Sequence, residues 1–168
     1  MICQIIRETR EALKQGLYFI ALNSALTLPD ICGSVEYPEK KTGERYINWY
    51  DEQIGKYEKC SKNPEIPYPD GKMIYKLRCA LLHEGKPSIE KYHEEDNKMH
   101  ISHFALIIEK SNDFDIYGDS YVFDENSKKI CEYRMNVQRI CILICHVAEM
   151  YYQENQDKFQ FNCDIFNV

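Results

Sequence analysis

Apolar residues recur at helical spacing in four stretches of the chain. The first stretch, residues 2–26, predicts one long helix that stops before Pro29. The short segment at 28–33 is expected to form a turn or a half-helix. A second helix is expected at about 43–57, with Thr42 as its cap. Its buried face should carry four large side chains: Tyr46, Trp49, Tyr50 and Ile54.

Two further helices are expected in the second half of the chain. One should run from about Asp70 to His83 and stop at Gly85. The last, from about Asn136 to Gln156, has an almost unbroken apolar face. The chain between these helices contains a polar linker and three β-favouring stretches: 90–100, 101–110, 115–123 and 129–135.

This pattern predicts a mainly α protein, a helical bundle with a small antiparallel β insert at about residues 101–135, before the last helix. We expect a single domain over residues 1–168, because a chain of this length can bury one core. The charged N-terminus, with Arg7 and Glu8, does not fit a signal peptide. No apolar run reaches the roughly 20 residues of a membrane span. We therefore expect a cytoplasmic protein with no membrane contact.

Cysteine and histidine, the residue types that most often form disulfides or bind transition metals, occur eight and five times in the chain. Eight cysteines in a chain expected to be cytoplasmic are interpreted as free thiols, most of them buried. The nearest approach to a metal-ligand pattern is Cys141, Cys145 and His146, which lies inside an apolar helical run. We therefore expect no metal and no cofactor.

The candidate chemistry lies at Arg78 and His83, near the end of the third helix. Arg78 falls inside the apolar arc of that helix, and an unpaired buried guanidinium is strongly destabilising. The side chain must therefore face a cleft or interface that an anion can reach, or pair with a carboxylate such as Asp30, Asp51 or Glu149. Five positions separate Arg78 from His83, about 140° around an α-helix. Their side chains would then converge only if the helix frays or if a second subunit completes the site.

These two residue types suit the cleavage of RNA by its own ribose 2′-hydroxyl. That reaction needs an acid, a base and a cation for the phosphorane charge, and it needs no metal. We expect His83 to transfer protons near neutral pH and Arg78 to bind the phosphate. Four neighbouring side chains are candidates for binding the RNA backbone or a base: Lys72, Tyr75, Lys76 and Lys86.

The segment Tyr-Lys-Leu-Arg-Cys-Ala-Leu-Leu-His-Glu-Gly, residues 75–85, resembles the defining segment of the HEPN superfamily, whose helical domains carry an R-x(4–6)-H motif. The segment 28–33, the helix at 45–50 and the β insert also resemble small bacterial proteins that carry this motif. The resemblance implies a metal-independent endoribonuclease with a toxin or anti-phage role. It also implies a homodimer, RNA as substrate and an antitoxin or other protein as partner.

One position departs from the pattern of the nuclease members. The residue after the arginine is usually Asn, Asp or His in those proteins, whereas here it is Cys79. The formal net charge of −6 also gives no overall attraction for nucleic acid. Two alternatives therefore stand beside the nuclease: a non-catalytic HEPN-like module that binds RNA, a nucleotide or a protein, and an interaction protein in which Arg78 is purely structural.

Overall fold

The computed structural model describes residues 1–58, 69–84, 101–108, 118–123 and 129–159, with side chains at 1–58, 69–82, 105–108 and 134–159. This part of the chain confirms the mainly α class, with six α-helices and a small sheet before the last helix. The helices are α1 Ile2–Lys14, α2 Tyr18–Ala25, α3 Leu28–Glu36, α4 Thr42–Tyr50, α5 Gly71–Cys79 and α6 Val137–Glu154. Two π-helical segments, Asp51–Gly55 and Ala80–Glu84, directly continue α4 and α5.

The first predicted helix is in fact two helices, so the prediction of one helix at 2–26 is wrong. Gly16 adopts the left-handed conformation, with φ of 73°, and ends α1. Its N–H donates to the Leu13 carbonyl at 3.1 Å, and the Leu17 N–H donates to the Ala12 carbonyl at 2.8 Å. This pair of bonds is a Schellman motif, which satisfies the last carbonyls of a helix and turns the chain away.

The segment at 28–33, expected to form a turn or a half-helix, is helical and belongs to α3, which runs from Leu28 to Glu36. Pro29 lies in the first turn of this helix, where its missing N–H has no carbonyl to reach. The proline therefore begins a helix instead of only closing the one before it. Thr42 is not the cap of α4 either; it is the first helical residue, and Lys41 before it makes no side-chain capping bond.

The core is built around α4 and α6. The buried face predicted for the second helix is confirmed, since its four large side chains are all at most 1% exposed: Tyr46, Trp49, Tyr50 and Ile54. Helix α6 contacts α1, α2 and α3, while α4 packs against α3 and α5. The ring of Trp49 meets the edge of Tyr151 with centroids 5.6 Å apart, which joins the two halves of the core.

Two glycines let the neighbouring helices come unusually close to α4. A Cβ atom on Gly33 of α3 would lie 2.6 Å from the Arg45 carbonyl oxygen. A Cβ atom on Gly71 of α5 would lie 2.5 Å from the Ile47 carbonyl oxygen. The contacts are with backbone, which cannot move aside as a side chain can. Glycine therefore permits both close approaches to α4.

The sheet before α6 is mixed, not antiparallel. Its strands are β1 Ile101–Ile107, β2 Gly118–Phe123 and β3 Lys129–Asn136, in the order β1-β3-β2. Strand β2 runs antiparallel to β3 as predicted, whereas β1 runs parallel to it. Alternation of residue types does not encode strand direction, which is why the prediction for β1 is wrong. Strand β3 leads directly into α6, where the Asn136 side chain accepts from the Arg139 N–H at 3.2 Å.

None of the helices in the described ranges combines the length and the apolar character that a bilayer crossing requires. The single domain expected over residues 1–168 stays a prediction.

Candidate functional site

Arg78 on α5 reaches a carboxylate on α3. Its Nη2 atom lies 3.1 Å from Oδ2 of Asp30, one of the three partners that the sequence left open. The other two carboxylates have partners elsewhere. Asp51 accepts from the first N–H of α5 at 2.6 Å, and Glu149 pairs with Arg10 at 2.7 Å. Packing, not chain distance, therefore selects Asp30.

A second arginine shares the same carboxylate. Nη2 of Arg45, on α4, lies 3.5 Å from Oδ1 of Asp30, so each carboxylate oxygen faces one guanidinium. Two guanidiniums therefore converge on one carboxylate. The side chains of Arg45 and Arg78 are 25% and 16% exposed, so solvent reaches both. We call these three residues the arginine cluster.

Two tyrosines lie beside the arginine cluster. The guanidinium carbon of Arg78 is 6.0 Å from the centroid of the Tyr75 ring, at the outer limit of a cation–π contact. The Tyr75 ring is 5.2 Å from that of Tyr46, which is fully buried. Burial raises the pKa of Tyr46 well above its usual value, while the charge of Arg78 lowers it and that of Asp30 raises it. The phenol of Tyr46 is therefore close enough to sense both charges.

Some polar atoms here make no hydrogen bond. Within the described part of the chain, Nε of Arg45 and the hydroxyl oxygen of Tyr46 are buried and have no partner. Nearly all buried polar groups in folded proteins are paired, with protein, water or a ligand. These two atoms therefore have hydrogen-bonding capacity that the described residues do not use.

The end of α5 differs from the regular helix that the sequence predicted. The helix begins at Gly71, after Asp70, whose side chain accepts from the Met73 N–H at 2.7 Å. It changes at Ala80 to a π-helix that includes His83. A π-turn contains more residues than an α-turn, so positions five apart lie closer to one face. The 140° separation of Arg78 and His83 applies to an ideal α-helix, and the π-helical segment makes the angle between the two positions smaller.

Not every candidate binding residue lies next to the arginine cluster. Tyr75 lies next to Arg78, whereas Lys76 is about 160° away from Arg78 around the α5 axis. Lys76 is half-buried and Lys72 is exposed. Burial and the neighbouring charge of Lys72 lower the pKa of Lys76. The side chain of His83, and all of Gly85 and Lys86, lie outside the described residues.

The residues considered as a metal pattern are separated by burial. Cys141 and Cys145 are buried in α6, whereas His146 is exposed. Burial raises the pKa of the Cys145 thiol to about 11. No group of three or more His, Cys, Asp or Glu side chains among the described residues could hold a metal ion.

Arg45 was not identified as a site residue from the sequence, although a signal was present. It lies four positions before Trp49 and directly before Tyr46, at the edge of the buried face of α4. A charged residue against an apolar arc was the feature that singled out Arg78. Applied to α4, the same criterion identifies Arg45. Tyr46 gave no such signal, because its aromatic ring fits the core.

Comparisons of the chain with protein-family models, with curated proteins and with solved structures find no match. Any functional conclusion therefore rests on the chemistry of the site residues.

Proposed function

We propose that this protein is a metal-independent endoribonuclease of the HEPN type, with Arg78 on the phosphate and His83 as the acid–base residue. The observation that carries the proposal is that one carboxylate, Asp30, faces two arginines. A structural ion pair requires only one arginine for each carboxylate. The second arginine provides N–H donors, reached by solvent, that suit a phosphate.

The chemistry needs only groups that the chain supplies. The ribose 2′-oxygen attacks the adjacent phosphorus while the bond from phosphorus to the 5′-oxygen breaks. The products are a 2′,3′-cyclic phosphate and a free 5′-hydroxyl. A guanidinium stabilises the negative charge that develops on the phosphorane oxygens. One neutral imidazole takes the proton of the 2′-hydroxyl, and a protonated imidazole, supplied by the second subunit of the proposed dimer, gives a proton to the leaving 5′-oxygen. The π-helix at Ala80–Glu84 supports this assignment, because it reduces the angle between positions 78 and 83.

The proposal includes a homodimer, a cytoplasmic location, and a toxin or phage-defence role with an antitoxin or other protein partner. Support for the dimer comes from a group of exposed apolar side chains on and around α2: Leu17, Phe19, Ile20 and Ile108. Phe19 and Ile108 line the same apolar groove, so these two exposed side chains belong to one continuous apolar surface. Tyr151 is buried against Trp49 and does not belong to this surface.

Incubation of the purified protein with single-stranded RNA in excess EDTA tests the activity. We expect cleavage to persist, with cyclic phosphate ends, and to fall at least about a hundredfold in His83→Ala and in Arg78→Ala. His146→Ala is the matched control, because it removes an exposed histidine from α6 and should leave the rate unchanged. Absence of cleavage, or a His83→Ala rate equal to that of the unaltered protein, would contradict the proposal.

The second candidate is a non-catalytic HEPN-like module that binds RNA, a nucleotide or a protein. Cys79, in place of the polar residue usual after the arginine, favours it. In that case RNA binds without being cut, and binding weakens in Arg78→Ala. Quantifying binding and cleavage with the same RNA separates the two candidates.

A further inference from the structure

We propose that Arg45 and Tyr46 form one oxyanion subsite with Arg78, and that Asp30 is the positioning residue that holds both guanidiniums toward the bound anion. The ligand class is a phosphate oxyanion, whether a free phosphate or a phosphodiester of a nucleic acid. Only the choice of phosphate rests on the proposed function. The subsite itself rests on charge and on hydrogen-bonding groups.

Arg45 has hydrogen-bonding capacity that the fold does not use. A guanidinium carries five N–H donors in a planar fork that matches the oxygens of a phosphate. Within the described residues, the Arg45 guanidinium makes one hydrogen bond, from Nη2 to Oδ1 of Asp30 at 3.5 Å. Its Nε is buried and has no partner, yet the side chain keeps 25% of its surface exposed. An anion can therefore approach from solvent and accept from this fork.

Tyr46 supplies an independent observation that points to a ligand. Its side chain is fully buried, and its hydroxyl has no hydrogen-bond partner in the described part of the chain. A phenylalanine would fill the same core volume without leaving a polar atom unpaired. The hydroxyl lies where the charges of both Arg78 and Asp30 act on it. A phosphate oxygen on the guanidiniums is a suitable acceptor for its proton.

The unused donors of the cluster select an anion. Each oxygen of Asp30 already faces one guanidinium, while Arg45 Nε and the phenol provide further donors. A site with spare N–H and O–H donors beside two guanidiniums suits an oxyanion and not a cation. Asp30 does not contact the anion; it aligns Arg45 and Arg78, on two different helices, toward the same point.

Titration with inorganic phosphate at low ionic strength, followed by calorimetry, tests the subsite without reference to RNA. We expect Arg45→Met to weaken phosphate binding at least about tenfold, and Tyr46→Phe at least about threefold. Lys41→Met is the matched control, since it removes the same charge from the start of α4, at an exposed position. It should change the affinity by less than about twofold. Circular dichroism of each variant checks that the fold is intact, and Tyr46→Phe provides a test that keeps the core volume.

The outcomes separate the subsite from the ribonuclease proposal. Phosphate binding that depends on Arg45 and Tyr46, in a protein that cuts no RNA, supports the subsite and counts against the nuclease. RNA cleavage that depends on Arg78 but is unchanged in Arg45→Met, with unchanged phosphate affinity, overturns the subsite alone. Absence of phosphate binding to the unaltered protein, or an equal loss in Lys41→Met and Arg45→Met, also overturns it.

Discussion

Tyr46 is among the largest fully buried side chains of the protein, and its hydroxyl has no hydrogen-bond partner in the described ranges. An unpaired buried hydroxyl costs roughly 1–3 kcal/mol of stability. Tyr151 is the opposite case, because its hydroxyl donates to Glu36. Tyr46 and Tyr151 can therefore be compared directly, because the hydroxyl of one has no partner and the hydroxyl of the other is hydrogen-bonded.

We expect Tyr46→Phe to leave the free energy of unfolding unchanged or to raise it by up to about 1 kcal/mol, because it removes an unsatisfied group. Tyr151→Phe should lower it by about 1–3 kcal/mol, because it removes a hydrogen bond to a carboxylate. Urea denaturation at neutral pH, without phosphate, measures both. A clear loss of stability in Tyr46→Phe would contradict the assignment of an unpaired hydroxyl.

The same residue predicts a dependence on alkaline pH. Burial raises the pKa of Tyr46 in the folded protein above the value of about 10 in the unfolded chain. The stability that this contributes is present below pH 10 and is lost as pH rises towards the folded pKa. Tyr46→Phe should make the loss of stability above pH 10 shallower. It should not abolish that loss, because burial and Glu36 also raise the pKa of Tyr151.

At the scale of elements, the contact between α3 and α4 places Asp30 beside Arg45. Gly33 allows this contact, because a Cβ atom there would meet the Arg45 carbonyl oxygen at 2.6 Å. Helices α3 and α4 would have to move apart to make room for a methyl group at position 33. Such a movement would take Arg45 away from Asp30, and their present distance of 3.5 Å is already long for a hydrogen bond.

We expect Gly33→Ala to lower the free energy of unfolding by roughly 1–3 kcal/mol. The sign of this change in the free energy of unfolding is informative, since alanine in place of glycine inside a helix usually stabilises by about 0.5–1 kcal/mol. Ser34→Ala, at the next position of α3, is the control and should stay within about 0.5 kcal/mol of the unaltered protein. Thermal or urea denaturation measures both variants. Stabilisation by Gly33→Ala would mean that α3 and α4 are not in close contact.

At the scale of the whole molecule, the exposed apolar side chains of α2 bear on the proposed homodimer. Phe19 and Ile20 are 63% and 58% exposed, so they add little to the core. If the dimer buries this surface, replacing both with serine should convert it to a monomer without changing its helical content. Sedimentation equilibrium measures the molar mass in solution.

Ile142→Ser serves as the control for this experiment, because Ile142 is a 50% exposed apolar residue of α6, outside the α2 surface. It should leave the molar mass unchanged. A monomeric unaltered protein, or a dimer that survives the change of Phe19 and Ile20, would rule out this surface as the interface.

Helix faces could be predicted because they depend on spacing within one segment. The burial of Tyr46 and Trp49 follows from a period of 3.6 residues, which depends only on the sequence of the segment itself. The break at Gly16 was missed because the apolar pattern continues on both sides of it, while the left-handed φ of one residue divides the helix. The parallel direction of β1 was missed because alternation is the same in both directions.

For the candidate site, the sequence by itself determined that Arg78 needs a partner or an anion, since a charge within an apolar arc has no other stable arrangement. Only the tertiary structure decided that the partner is Asp30, that Arg45 shares it, and that Tyr46 packs on Tyr75, the ring next to Arg78. The physical reason is that these residues come from three helices, brought together by packing that depends on Gly33 and Gly71. Local periodicity places a side chain on a face, but contacts between helices set which charges meet.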